Sequence, residues 1–397
     1  MNRKLSVQDV QVKGKRVFVR VDFNVPLNPD ATIKSDTRIK ASLPTITHLI
    51  KKGGRLILAS HLGRPKGEVK EDMRLRPVAK RLAELLGKEV KMAPDCVGLE
   101  VEKMANELRD GDVMLLENLR FHKQEEKNDP QFSKQLAALA DVYVNDAFGT
   151  AHRAHASTEG ITHHLKPCAA GFLIDKELKY LGESLDNPKR PLVAIIGGAK
   201  VSTKIGVIRN LLKKVDTLVL GGGMTYTFAK AQGYEIGTSL FEAETFDTAK
   251  QLLQEFKGAK AKVLMAEDCL VADKFDAAAQ TKIVDINKIP AGWQGVDIGP
   301  RTTAKILEAI KGAGTVVWNG PVGVFEIEPF SKGTRAVAQA IAASQAISVL
   351  GGGETATAVK EYKLTDKMTH VSTGGGASLE FLEGIELPGI KALDDAT

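Results

Sequence analysis

The 397-residue chain reads as an α/β protein of two domains, each a parallel β-sheet with helices on both faces, joined by a connecting helix. Three observations lead there. The length exceeds what one ordinary core serves, so two domains are the natural division. Short apolar runs alternate with helix-period stretches almost throughout, which is the pattern of βαβ units. In the second half, four apolar runs end in consecutive glycines: PLVAIIGGAK (Pro191–Lys200), TLVLGGGM (Thr217–Met224), ISVLGGGET (Ile347–Thr355) and THVSTGGGAS (Thr369–Ser378). A fifth, TVVWNGPVGVFE (Thr315–Glu326), ends in Gly-Pro and a further Gly. Glycine lets a ligand approach backbone N–H groups, and at a helix start those groups are unpaired at the positive end of the dipole. A row of such turns along one sheet edge is a surface for phosphate.

The elements follow in chain order. In the first half, strands are expected at Val17–Val21, Leu56–Ser60, Val113–Glu117 and Val142–Asn145. Between the first two, Leu43, Ile46, Leu49 and Ile50 share a helical face, with Pro44 in the first turn and Gly53-Gly54 as the stop. A second helix fits Pro77–Leu86, stopped by Gly87. Gly171–Pro191 reads as the connector: Leu178, Leu181 and Leu185 form a helical stripe, and Asn187-Pro188 with Pro191 ends it. Beyond it the glycine-ended strands alternate with helices at Val201–Lys213, Thr302–Ile310 and Lys332–Ala343. Near-continuous apolar strands such as LVAII fit burial on both faces of a parallel sheet. A single eight-stranded barrel is the rival architecture and ranks second, because the strand count is too high.

Composition narrows the function. The chain is 43% hydrophobic and 26% charged with no low-complexity tract, so it is globular. Its net charge of +6 is dispersed and aromatics are only 5%, which suits small anionic ligands rather than nucleic acid. Cys96, Cys168 and Cys269 form no C-x-x-C pair, which argues against a disulfide framework and a zinc ribbon. The N-terminus MNRKLSVQDV has no apolar signal core, and no apolar stretch approaches a membrane span. A cytoplasmic protein without membrane association is expected.

The first-half strand ends carry side chains. RVDFNVP places Asp22 and Asn24 on one face of an extended chain; SHLGRP carries His61 and Arg64; ENLRF carries Arg120; NDAFGTAHRAH carries His152, Arg153 and His155; Arg38 precedes the first helix. Ligands of open α/β sheets bind beyond the carboxyl ends of strands, so several of these arginines converge on one crevice. Arginine pairs bidentately with carboxylate and phosphate, and Asp22 and Asn24 suit hydroxyls. A small, multiply anionic, hydroxylated ligand is implied. A lone loop arginine is usually a solvated charge, but several at successive strand ends are less easily dismissed. His152, His155, His163 and His164 do not complete a known metal spacing, and His155 and His163 are expected to be supporting or structural.

The second half lacks a Walker loop, and neither half opens with G-x-G-x-x-G. In GGAKVSTKIG, Lys200 and Lys204 are four apart, so on a helix their ammonium groups face one side and suit charge on a transferring phosphoryl group. A solvated lysine pair is the bland alternative. Glu326 is placed for ribose hydroxyls, and Glu354-Thr355, after Gly352-Gly353, for a phosphate-bound Mg²⁺. Gly374, Gly375 and Gly376 open a helix at Ala377–Glu383 whose N–H groups can face the phosphoryl group.

Nine blocks in register, RVDFNVP, DTRIKASLPTI, SHLGRP, ENLRF, DAFGTAHRAHAS, GGAKVSTKI, VVWNGPVGVFE, GGGET and STGGGASLEFLEG, make the chain resemble the phosphoglycerate kinase family over nearly its whole length. The resemblance implies two Rossmann-like three-layer domains: residues 1–170 for the triose acid, a connecting helix and hinge at 171–190, a nucleotide domain at 191–376, and a segment at 377–397 packing back on the first domain. It implies glycolytic transfer of phosphate between 1,3-bisphosphoglycerate and MgADP, by direct in-line transfer on hinge closure, in a monomer. Asp22, Phe23, Asn24, Arg38, His61, Leu62, Gly63, Arg64, Arg120 and Arg153 would hold 3-phosphoglycerate. Lys200, Lys204, Gly295, Glu326 and Gly352, Gly353, Glu354 and Thr355 would hold ATP or ADP, with Glu354 on Mg²⁺. Arg38, Lys204, Gly375 and Gly376 would stabilise the transferring group. The chain departs from the family pattern at Glu354, usually Asp, and at Thr203, commonly Asp.

Two other classes remain on the sequence alone. A two-domain clamp for an anionic ligand could share the architecture; the lysine pair and the absent signal peptide count against it. A nicotinamide dehydrogenase lacks its glycine fingerprint here.

Overall fold

The computed structural model describes residues 3–396. The chain divides into two compact units: residues through Leu178 together with those from Glu386 onward, and Lys179–Ile385. The first unit holds strands β1 (Arg16–Val21), β2 (Arg55–Ala59), β3 (Lys91–Met92), β4 (Val113–Leu115), β5 (Val142–Asp146) and β6 (Cys168–Ala170). They form one sheet in the order β3-β4-β2-β1-β5-β6, parallel at every pairing. β1 lies at its centre, with Val19 opposite Leu58 on one side and Val144 on the other. Every residue of β1 after Arg16 is buried, as a doubly covered parallel strand requires.

The second unit holds β7 (Leu192–Ile196), β8 (Thr217–Leu220), β9 (Lys262–Leu264), β10 (Asp268–Ala272), β11 (Thr281–Asp285), β12 (Gln294–Ile298), β13 (Thr315–Asn319), β14 (Ile347–Gly351) and β15 (His370–Val371). A six-stranded parallel sheet runs β15-β14-β13-β7-β8-β9, and β11-β10-β12 form a separate antiparallel sheet. Both six-stranded sheets are open, so the barrel reading is excluded, and the two parallel-sheet domains match the expected class. The antiparallel sheet was not anticipated. Trp318 of β13 is fully buried and donates its indole N–H to the Gly320 carbonyl at 2.8 Å. Burying a side chain of that size is worth roughly 4–6 kcal/mol.

Several helices depart from the sequence reading. The first runs Thr37–Lys51 and contains Pro44 in its interior rather than its first turn. Ile39, Ser42, Thr45, Ile46 and Leu49 are all buried along one stripe, and that packing overrides the hydrogen bond Pro44 cannot make. The second, Arg76–Leu86, matches: proline sits at its start and Gly87 closes it at φ 63°. The expected helix from Val201 begins only at Ile205, because the Ser202 N–H and hydroxyl bond the Glu242 carboxylate and hold Val201–Lys204 as a turn.

The connecting segment is helical over Phe172–Glu177 and Glu183–Asp186, with a wider π-type turn at Leu178–Gly182. The chain leaves the first unit inside that turn. From there Tyr180 stacks on His370 of β15 at 5.0 Å, within the second unit. At the far end, the helix Gly375–Glu383 belongs to the second unit, where Asn210 of the helix Ile205–Leu212 donates to the Leu382 carbonyl at 2.8 Å. Only from Glu386 does the chain rejoin the first unit. There Asn145 donates to Gly389 O at 3.0 Å, and Cys168 N donates to the Asp394 carboxylate at 2.8 Å. Among the described residues no helix is long and apolar enough to cross a membrane.

Candidate active site

In the first unit the predicted side chains sit beyond the ends of β4, β2, β1 and β5, which are consecutive neighbours in the sheet; Arg38, expected ahead of the first helix, is instead the second residue of the helix Thr37–Lys51, whose N-cap is Asp36. Parallel neighbours release their loops at the same edge, which is why residues distant in sequence converge. Asp22 and Arg38 form an ion pair, and Asp22 Oδ1 accepts the Asn24 N–H at 3.3 Å. Asn24 Oδ1 accepts the Gly63 N–H at 2.9 Å, and the Gly63 carbonyl accepts from Arg120 Nη1 at 3.0 Å. Gly63 takes φ 64°, a conformation that favours glycine, with the Met73 side chain against it. Phe23 and Leu62 are buried; their N–H groups donate to Ser60 Oγ at 2.9 Å and Asn118 Oδ1 at 3.1 Å. Arg64 and Arg153 are exposed.

Behind this surface lies a fully buried arginine that the sequence reading did not single out. Arg20 donates from Nε to Ser157 Oγ at 2.8 Å, and its Nη2 lies 3.2 Å from His61 Nδ1. Ser157 in turn donates to the fully buried Glu125, at 2.6 Å from its hydroxyl and 3.0 Å from its N–H. Burial, followed by the charges of Arg20, Arg120 and Arg38, holds the His61 imidazole well below its ordinary range. Burial first, then Arg20, Arg120 and Arg153, push His155 down to about 3. The fields of Arg20, Arg38, Arg120 and Arg153 therefore overlap on two imidazoles. Arg120 Nε is buried without a hydrogen bond, although Glu126 Oε1 lies 3.3 Å away. A basic, partly desolvated cluster of this kind favours a polyanion. The same positive field disfavours a bound cation at His152 and His155.

In the second unit Lys204 Nζ donates to Asn319 Oδ1 at 2.6 Å. Lys204 stands just before the helix Ile205–Leu212 rather than one turn inside it, so the helical pairing expected with Lys200 does not form; Lys200 is exposed on the preceding loop. Burial lowers the Lys204 ammonium, and the nearby Glu354 carboxylate works against that shift. Asn319, also missed from sequence, has its Nδ2 buried and without a partner beneath Gly351 and Gly352. Gly352 has φ 90° and precedes the helix Gly353–Glu361. A Cβ on Gly375, the first residue of the helix Gly375–Glu383, would lie 3.3 Å from the Gly353 N–H nitrogen. Two helix N-termini thus meet beside Lys204, with Gly376 and Glu354 exposed and Thr355 buried. Thr355 Oγ1 accepts the Gly320 N–H at 2.7 Å. Glu326 is exposed.

Other glycines of the edge serve packing. A Cβ on Gly197 would fall 2.0 Å from the Pro321 carbonyl oxygen; away from that edge, on β12 of the antiparallel sheet, one on Gly295 would fall 2.1 Å from the Tyr226 ring. The backbone at Gly197 is covered by the protein itself, whereas Gly353, Gly375 and Gly376 are exposed at their helix starts.

A carboxylate on the first turn of a helix, beside a phosphate-type turn, is the hard oxygen donor that Mg²⁺ takes when substrate oxygens supply its other ligands. Exposed Glu354 fits that requirement.

Fold and site together define a two-domain α/β protein with an arginine-tipped sheet edge in one unit and a lysine and glycine-turn edge in the other. A model of the phosphoglycerate kinase family matches residues 7–385. Proteins named phosphoglycerate kinase from Chlorobium phaeobacteroides and Chloroherpeton thalassium are each 57% identical, over 99% of this chain and 100% of their own length. The solved structure of phosphoglycerate kinase from Coxiella burnetii superposes with TM-score 0.91 at 44% identity, covering 98% of both chains. That of phosphoglycerate kinase from Pyrococcus horikoshii gives 0.84 at 35% identity, again over 98% of each. The chain belongs to the phosphoglycerate kinase family. These relatives lend nothing to the clamp or dehydrogenase readings.

Proposed function

We propose that this chain catalyses reversible, Mg²⁺-dependent transfer of the acyl phosphate of 1,3-bisphosphoglycerate to ADP, giving 3-phosphoglycerate and ATP in glycolysis and gluconeogenesis. Family membership across residues 7–385 carries the reading. With it go small-molecule substrates, a cytoplasmic location and a monomeric chain.

The chemistry asks little covalent work of the protein. A β-phosphate oxygen of ADP attacks phosphorus, the acyl P–O bond breaks, and a carboxylate leaves. Both ends are anions, so no general base is needed, and catalysis reduces to alignment and charge stabilisation. Arg38, Arg64, Arg120 and Arg153 would hold the carboxylate and phosphate of the triose acid. Asp22, already paired with Arg38, retains acceptor capacity for its hydroxyl. Neutral His61 would act as a hydrogen-bond donor, and Phe23, Asn24, Leu62 and Gly63 would shape the pocket. On the other edge Lys200, Gly295 and Glu326 would hold the nucleoside, and Gly352, Gly353 and Thr355 its phosphates. Lys204, Gly375, Gly376 and Arg38 would meet the charge on the phosphoryl oxygens. Glu354 would hold Mg²⁺, which when bound neutralises phosphate charge.

A coupled assay tests the proposal. ATP consumption should require both 3-phosphoglycerate and Mg²⁺; consumption indifferent to 3-phosphoglycerate would remove it. Direct transfer predicts no labelled protein after incubation with radiolabelled ATP alone, and a phosphoenzyme would overturn that step.

A further inference from the structure

We propose that Asp95, Cys96 and His122 of the first unit form a binding site for a soft divalent transition-metal ion, with zinc as the best-fitting occupant. Asp95 and Cys96 lie on the loop after β3, and His122 follows the short turn Leu119–Phe121. One carboxylate oxygen, the thiol sulfur and one imidazole nitrogen lie within 4.8 Å of one another. The set is already organised. His122 Nε2 is 2.7 Å from Asp95 Oδ1, and the imidazole stacks on Phe132 at 5.2 Å, which fixes the ring plane. The Cys96 N–H donates to the same Asp95 oxygen at 2.7 Å, tying the carboxylate to the residue that carries the thiol.

The ligand chemistry selects the ion. Thiolate and imidazole are poor ligands for Mg²⁺ or Ca²⁺ and good ones for zinc, and a single carboxylate completes three protein donors with a fourth tetrahedral position for water. The required movement is small. Zinc bound to both the imidazole nitrogen and the carboxylate oxygen holds those atoms about 3.3 Å apart at tetrahedral angles. They now stand 2.7 Å apart, so these two side chains must part slightly and the thiol, within 4.8 Å of both, must turn toward the ion. The charges also favour a cation: the thiol is fully buried, and after burial itself the Asp95 and Glu125 carboxyls are what disfavour its ionisation. A cation relieves that repulsion. On binding, the Cys96 thiol proton leaves to solvent. His122 ligates through Nε2 as neutral imidazole with its proton on Nδ1. The present Nε2–Asp95 hydrogen bond gives way to two bonds to the metal. At least the thiol proton is released, so affinity rises with pH.

Cobalt(II) alone, titrated into the full chain under a non-thiol reductant, is the probe. The expected result is one equivalent bound with tetrahedral visible bands and a thiolate-to-cobalt charge-transfer band, all displaced by zinc. Cys96→Ser should abolish the charge-transfer band, while Cys168→Ser and Cys269→Ser keep it. His122→Gln, at a partly exposed position, should weaken binding by more than ~10-fold and covers the case in which Cys96→Ser fails to fold by circular dichroism. No charge-transfer band in the unaltered chain, an unchanged band in folded Cys96→Ser, or unaltered affinity in His122→Gln would each overturn the proposal.

Discussion

Nη2 of Arg20 lies 3.2 Å from Nδ1 of His61, with both side chains buried. Guanidinium only donates, so the nitrogen facing it accepts. His61 is therefore the neutral tautomer carrying its proton on Nε2, pointed by Arg20 to donate from that nitrogen. Nitrogen NMR of the imidazole should show Nδ1 unprotonated at neutral pH, and no protonation through the ordinary histidine range. Arg20→Lys, which keeps the charge beside buried Glu125 but loses the fork, should blur the tautomer. It should raise KM for 3-phosphoglycerate more than it lowers kcat. A His61 that titrates normally in the unaltered protein would contradict the assignment.

Two glycines of the same edge should respond oppositely to alanine. At Gly197 the new methyl would meet the Pro321 carbonyl oxygen at 2.0 Å, a backbone atom that cannot swing away. Gly197→Ala should cost roughly 1–3 kcal/mol or more, visible as a lower midpoint in urea. At Gly353 a Cβ meets nothing within 4 Å, and φ is not positive. Gly353→Ala should leave stability within ~0.5 kcal/mol. It should nevertheless raise KM for ADP about tenfold, because the open space is where the phosphates would sit. Unchanged nucleotide affinity would remove that turn from the nucleotide site.

His155 should shape the acid limb of stability. Its folded value is pushed down to about 3 from the ordinary 6.5, so between those values the unfolded chain binds a proton that the folded chain refuses. Stability is then greatest above that window and falls as pH drops through it. His155→Gln should flatten the slope by up to one proton, about 1.4 kcal/mol per pH unit. Urea unfolding at about pH 7 and about pH 5 measures it, and an unchanged slope would mean His155 charges freely in the fold.

What could be read from the chain follows where one local signal dominates. β1, β2, β7, β8, β13 and β14 announce themselves as apolar runs because both faces are covered. The antiparallel sheet does not, since β11 begins with three exposed residues and β12 is half-polar. Pro44 misled because a buried stripe starting at Ile39 outweighs one missing hydrogen bond. The side chains that touch ligands in the proposal lie in motifs with obvious charge, so they were legible. The groups that hold them were not. Arg20 reads as a strand residue between two valines, and its contacts with His61 and Ser157 cross 41 and 137 positions. Asn118 and Asn319 sit inside motifs already noted for Arg120 and for glycines, and only the fold shows Asn118 bonding Leu62 N–H and Asn319 bonding Lys204.

Lys204 and Asn319 give the sharpest test of the second unit. Lys204 is partly desolvated, tied by Nζ to Asn319 Oδ1 at 2.6 Å, and close enough to Glu354 to feel its charge. On the proposed function, this ammonium would act on charge that develops during transfer more than on the resting nucleotide. Lys204→Ala should therefore lower kcat ~10²–10³-fold, the loss seen when one donor to a developing oxyanion is removed. KM for ADP should change far less. Asn319→Ala leaves the ammonium present but unheld, so it should cost kcat less than the lysine deletion does, and Asn319→Asp should restore the grip on Nζ while adding a charge that competes with phosphate. If Lys204→Ala stayed within a few-fold of the unaltered kcat under saturating substrates, the ammonium would be structural, and within this unit the charge on the phosphoryl oxygens would have to be met by the helix N-termini at Gly353 and Gly375.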